Sequence, residues 1–246
     1  NEDTLEPSGS GYIGHHAPDF ILFNDSWSQI VNLQYDQDGS CYMIDWYDKN
    51  QCHNNNPDVH DRSNGRIFKI TYGDTKTTSV DLQKKSDDEL VMMLLNQHEW
   101  LSRHARRILE ERAAAGKIDA GARQKLRDLL GLDGKTLMMK LTAEYHGVSS
   151  TEGQLRALWA LHVIGGLKEA DTLKLLKHED HYVRSWAIQL ACENGQPSDA
   201  IVQAFAELAN KDASPVVRLY LASAAQRVAL EKRWDIVAAL HQHGED

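Results

Sequence analysis

Two hydrophobic periods divide the chain near residue 82. Ahead of it, apolar and polar positions alternate in short runs; from Ser86 onward, apolar positions recur every three or four residues. Residues 1–19 are rich in Gly, Ser, His and Pro with little period, which predicts a loop. Phe20–Asn24 then reads as a short apolar strand and Trp27–Tyr35 as a second. Asp36-Gln37-Asp38-Gly39 is a turn, with Gly39 free to take positive φ. Cys41–Trp46 and Arg66–Tyr72 read as third and fourth strands with a polar loop between them. Short strands joined by tight turns describe a β-meander, the unit of a propeller blade. One such meander leaves its faces uncovered and expects neighbours.

The helical period opens on Ser86 and Glu89, spaced as a capping box ahead of Leu90, Val91, Leu94 and Leu95. Helices are predicted over 87–96, 99–115, 119–130, 135–146, 152–164, 168–177, 181–194, 198–210, 214–228 and 231–242, broken at Gly-, Asp-, Asn- or Pro-containing segments. An internal repeat runs through them. Leu155-Arg156-Ala157-Leu158-Trp159, Val183-Arg184-Ser185-Trp186 and Val217-Arg218-Leu219-Tyr220 each start apolar–Arg and carry an aromatic two or three places on. Their arginines lie 28 and 34 residues apart, and a shorter helix precedes each. This spacing fits HEAT-like helix pairs that bury apolar faces against one another. The arginine at a fixed place is expected to bond a neighbouring turn. The predicted fold class is therefore β plus α: about one terminal propeller blade over 1–82, then an α-solenoid over 83–246.

Composition alters this picture little. The 246 residues are 41% hydrophobic and 26% charged, ordinary globular values. A net charge of −9 argues against nucleic acid, which needs clustered cations. The one dense basic strip, Arg103-His104-Ala105-Arg106-Arg107, spreads around a helix and reads as a solvated face. No apolar run reaches the ~18 residues that span a bilayer. Asn1-Glu2-Asp3-Thr4 has no initiator Met and does not read as a signal peptide, so a piece of a longer protein is expected. Cys41, Cys52 and Cys192 are too few for a disulfide scaffold, although Cys41 and Cys52 fall in one sheet region where a bridge is conceivable.

Candidate chemistry gathers in one stretch. Asp45, Asp48, His53, His60, Asp61 and Arg62 place two imidazoles, three carboxylates and a guanidinium around one long loop. Imidazole with carboxylate suits Zn, Fe or Mn, whereas carboxylates with loop carbonyls suit Ca. The same residues equally suit turn chemistry, in which Asx side chains bond their own backbone and Asp61 pairs with Arg62. The His15-His16 pair reads as loop histidines, and His162, His178 and His181 as surface ones. Trp159, Trp186 and Trp234 are expected to pack between helices, with Met92-Met93 and Met138-Met139 as core filler. There is no P-loop or Gly-x-Ser-x-Gly.

The order of these segments resembles one family, the membrane-bound-dehydrogenase-like or haem-binding CxxCH proteins abundant in planctomycetes. The likeness rests on Gly14-His15-His16-Ala17-Pro18-Asp19-Phe20, on Asp45-Trp46-x-Asp48 followed by Cys52-His53, and on Arg62-x-x-Gly65-Arg66-Ile67-x-Lys69-Ile70-x-Tyr72-Gly73. It continues through Glu99-Trp100, Ala105-Arg106-Arg107, Leu155–His162 and Ser214–Ala224. The resemblance implies the end of a glucose/sorbosone-dehydrogenase-like propeller followed by HEAT-like repeats. It also implies a parent protein acting as a quinoprotein-like sugar or alcohol dehydrogenase, with c-type haem and with calcium or a quinone as further candidates, outside the cytoplasm or in the periplasm. The departure is plain: Cys-x-x-Cys-His would need a cysteine where Lys49 stands, so covalent haem is not expected on this chain.

Two functions follow as expectations. In one, the chain is a non-catalytic scaffold that closes a propeller and spaces it from a haem domain, with the rest of its own polypeptide as partner. In the other, it is a HEAT-type interaction module that binds protein partners on the solenoid face and has no redox role.

Overall fold

The computed structural model describes residues 3–49, 55, 56, 58, 63–75, 79–134 and 149–244. Five strands form two small antiparallel sheets, and nine α-helices follow among these residues. No closed barrel is present among them.

The first sheet pairs β1 (Asp3–Ser8) with β2 (Gly11–His16) around a turn in which Gly9 takes φ +57°. The sequence reads here as a loop because apolar alternation signals a half-buried strand, and every residue of this hairpin is exposed. Cross-strand pairs hold it instead: His15 with Glu6 at 3.2 Å and His16 with Asp3 at 2.9 Å.

The second sheet has the order β3 (Ile30–Tyr35), β4 (Cys41–Asp45), β5 (Arg66–Ile70). The β3–β4 turn has Gly39 at φ +80°, as its sequence requires. The expected strand at Phe20–Asn24 does not form. Asn24 turns the chain at φ +51°, and Phe23 lays its ring 5.2 Å from that of Phe68, so this segment covers part of a sheet face rather than extending the sheet.

One face of this sheet is apolar along its middle, where Leu33, Met43 and Phe68 stand opposite one another; the other is mixed, with Ile44 and Ile67 beside Asn32, Gln34, Tyr42 and Lys69. Of these strands' side chains only Met43 is a buried hydrophobic, while Leu33 and Ile67 are 61% and 73% exposed. Cys41 is a free thiol, and Cys52 lies outside the described residues.

The helices are α1 (Asp87–Met93), α2 (Glu99–Ala114), α3 (Ala120–Leu129), α4 (Ser150–Val163), α5 (Glu169–Leu175), α6 (His181–Ala191), α7 (Asp199–Lys211), α8 (Pro215–Ala225) and α9 (Trp234–Leu240). The helix expected over 135–146, with Met138-Met139, lies outside the described residues. Their starts follow from side-chain caps. Ser86 and Glu89 form the expected capping box; Ser149 and Ser198 accept from the backbone three residues on; Asp180 accepts from Tyr182 and Val183; Pro215 occupies the first turn of α8.

The helices pack in two rows. In one, α2 meets α4, α4 meets α6 and α6 meets α8; in the other, α1 meets α3, and α5, α7 and α9 meet in succession. Cross-packing of α1 on α2, α3 on α4, α5 on α6 and α7 on α8 closes a continuous core that starts at Leu82. Leu90, Leu109, Leu126, Leu158, Ile188 and Phe205 are its largest inaccessible side chains. Trp234, expected between helices, stands 59% exposed at the start of α9 instead. No helix among the described residues is long and apolar enough to cross a membrane.

Buried and half-buried arginines tie the helices to neighbouring turns. Arg156 of α4 donates to the carbonyls of Leu94 (3.0 Å) and Asn96 (2.6 Å) and to Glu99 (2.6 Å), all at the entry to α2. Arg184 of α6 grips both oxygens of Asp212, ahead of α8, at 2.7 and 2.8 Å. Arg218 of α8 donates to the Asp212 carbonyl at 2.7 Å. In the other row, Arg127 of α3 forks onto Asp171 of α5 at 2.6 and 3.0 Å. The repeat arginines thus bond neighbouring turns, as their fixed place in the sequence suggests.

Candidate functional site

Of the residues singled out on the long loop, the structure describes Asp45 and Asp48; His53, His60, Asp61 and Arg62 lie outside the described residues. Asp45 ends β4 and is buried. One of its oxygens accepts from the Gln29 (2.6 Å) and Tyr47 (3.1 Å) backbone N–H groups, the other from Ser28 Oγ (3.3 Å) and Arg66 Nε (2.7 Å). Burial pushes its carboxyl up, but the Gln29 N–H, the Arg66 guanidinium and the Tyr47 N–H outweigh it and hold the group below the ordinary carboxylate range.

Arg66, on β5, forks between Asp45 and Asp25 (3.0 Å) and lies 4.1 Å from the centre of the Tyr47 ring. Tyr47 is held at φ +49°, a region a non-glycine residue enters only when its surroundings fix it. Asp48 is also buried; its carboxylate accepts from the Trp46 indole at 3.3 Å and its carbonyl from Gln29 Nε2 at 3.0 Å. Asp45 and Asp48 therefore meet at one corner of the sheet, joined through Gln29. The described part of this corner is a hydrogen-bonded knot that fixes where the long loop leaves β4. Among the described residues no three His, Cys, Asp or Glu side chains come together as a metal site.

The pH behaviour of this knot follows from its sign. A carboxyl depressed in the folded state contributes stability above its unfolded value of about 3.9 and loses that contribution as pH falls through the folded value. Asp45→Asn is expected to lower sheet stability by about 2 kcal/mol at neutral pH, and to flatten the loss of urea midpoint that the native chain shows below about pH 4. Fluorescence of Trp27 and Trp46 across pH 3–7 reads both effects. An unchanged midpoint at pH 7 would show that the carboxylate is not what holds the corner.

A second site lies on the helical half. A cleft of about 530 Å³ opens on the α2–α4–α6 row, lined by Glu99, Arg103, Arg106, Trp159, His162 and Trp186, with Val163, Leu190 and Glu193 completing it. Trp159 and Trp186 meet edge to face at 4.9 Å, and the Arg106 guanidinium lies over the Trp159 ring, 5.4 Å from its centre. Arg103 is paired with Glu99 at 2.8 Å and His162 with Glu193 at 2.8 Å. Burial pulls the Arg106 guanidinium below its ordinary value, with Glu99 opposing the change.

The basic strip is thus only partly the solvated face its composition implied. His104 stacks on Trp100 at 4.0 Å, Ala105 is in the core and Arg106 leans into the cleft. His162, expected as a lone surface histidine, is an ion-pair partner with a largely covered side chain. Sequence reasoning passed over Arg66, Asp25 and Arg106 as site residues. A cation one helical turn from Arg103 carries no mark of which face it takes until the neighbouring helix is placed.

Comparison of the chain with protein-family models, with curated proteins and with solved structures finds no match in any of the three.

Proposed function

We propose that this chain is the scaffold portion of a larger extracytoplasmic dehydrogenase of the kind it resembles. On this reading the three-stranded sheet belongs to a terminal propeller blade, and the two rows of helices are a HEAT-like solenoid that spaces the propeller from a haem domain. The observation that carries the reading is the sheet, which bears apolar side chains on both faces, Leu33 on one and Ile44 and Ile67 on the other, and leaves them exposed while burying only the Met43 hydrophobic side chain. A blade needs such faces because it packs between others. The ties of Arg156 to the preceding pair and of Arg184 to the following one support the solenoid, whose stability comes from contacts between adjacent pairs. Periplasmic residence and a parent using c-type haem, with calcium or a quinone, rest on the resemblance. The described carboxylates Asp45 and Asp48 support a positioning role for the loop that carries His53, His60, Asp61 and Arg62.

Dye-linked oxidation assays on sugars and alcohols test the reading, with a pyridine haemochrome spectrum taken in parallel. The chain alone is expected to show neither turnover nor haem, and the protein expressed with its flanking gene sequence is expected to show both. An extended protein without either leaves the second reading, a HEAT-type interaction module. The observation that favours that reading is the aromatic, cationic cleft on the α2–α4–α6 row.

A further inference from the structure

The cleft holds two donors that the ties between helices leave unused. Arg106 has no hydrogen-bonded carboxylate or carbonyl among the described residues; its one described contact is the face of Trp159. The Trp159 indole Nε1 is buried and has no acceptor among the described residues. The two nearby carboxylates do not fill these needs. Glu99 is held by Arg103 and by Arg156, and Glu193 by His162. A half-buried guanidinium lying on an aromatic wall is matched by a ligand that brings oxygen acceptors and an apolar body together. Water matches only the first of these.

A second hollow adjoins this one at Glu193. Glu193 borders both this cleft and a smaller one of about 190 Å³ on α6 and α8, lined by Gln189, Cys192, Tyr220 and Arg227. The track therefore runs along successive helices of the row and suits an extended ligand better than a compact one. Glu193 in its middle repels a carboxylate placed there and Arg227 beyond it donates to the Cys192 carbonyl, which leaves the Arg106 end as the seat for the anion.

We propose that this track binds an acidic peptide segment of a partner protein, with a carboxylate on Arg106 and Arg103 and an adjacent aromatic side chain against the Trp159–Trp186 pair. Since the whole chain carries a net charge of −9, general attraction does not draw such a ligand, and recognition depends on this local pairing. The proposal deepens the interaction role of the helical half. It rests on the packing of that half and not on the redox role, so failure of the dye-linked assays leaves it standing.

The test is titration of the native chain with the peptide acetyl-Asp-Phe-Glu-Phe-amide, followed by tryptophan emission and by calorimetry. A saturable change is expected. Replacing the peptide's acids by their amides, or introducing Arg106→Gln, is expected to weaken binding by about tenfold or more, the effect of losing one charge-assisted pair. Arg106→Lys is expected to retain part of the affinity, and Trp159→Phe to remove most of the spectral change. Circular dichroism melts confirm that each variant folds, and the amide peptide tests the proposal on the native chain alone. No saturable change, equal binding of the amide peptide, or unchanged binding by a folded Arg106→Gln variant would each overturn it.

Discussion

Arg156→Met is expected to lower the unfolding free energy of the helical half by about 3–5 kcal/mol, the cost of breaking a buried charged network by removing one partner. For a protein of this size the same loss corresponds to a fall in Tm of roughly 6–20 °C. Methionine has similar reach and apolar character, so little volume is lost and the change reports the missing bonds. Those bonds are to the carbonyls of Leu94 and Asn96 and the carboxylates of Glu99 and Glu152. The two carbonyls lose this donor, and Glu99 keeps Arg103 and the Ser102 hydroxyl. Arg156→Lys is expected to recover only part of the loss, because an ammonium cannot fork to several acceptors at once. Thermal and urea melts followed by circular dichroism measure all three proteins. A loss below about 1 kcal/mol for the methionine variant would mean that the entry to α2 is held by apolar packing alone.

Asp212→Ala is expected to cost about 2–4 kcal/mol, because this side chain serves two helices. It accepts two bonds from Arg184 of α6 and one from the Ser214 N–H at the start of α8, while its own carbonyl accepts from Arg218. Asp212→Asn keeps an acceptor for Ser214 but loses the charge that matches Arg184, and an intermediate loss is expected. The decisive comparison is the pair Asp212→Ala and Arg184→Met. If they act through one shared contact, the double variant loses little more than Asp212→Ala alone, whereas independent roles give additive losses.

The arginines behind these two expectations are ones the bare chain already pointed to, whereas Asp212 was not. Arg156, Arg184 and Arg218 stand out because a solenoid-like period repeats both the helix and the place of its cation, so one pattern carries two pieces of information. The Ser86–Glu89 cap was legible for the same reason: its partners lie within one turn of each other. What escaped lacked local redundancy. The β1–β2 hairpin has no inner face, hence no alternation, and its paired His and Asp or Glu side chains are distant in sequence. Ile30–Asn32 carries a bulge that shifts the β3 register, which is why the alternation there is only partial. Phe20 and Phe23 read as strand residues by type, yet they fold over a sheet face because Asn24 turns the chain. The corner around Asp45 was half legible. Its aspartates drew notice, but their partners Gln29 and Arg66 sit just ahead of β3 and on β5, and only the pairing of β3, β4 and β5 brings them within reach. Arg106 shows the same limit on a helix.

Asp212 also bears on how the molecule breathes. With arginines from two helices converging on one short segment, a fluctuation that frees it loosens both clients at once. Amide protons on α6 and α8 then share a single opening event, and deuterium enters the two helices together rather than from one end of the stack inward.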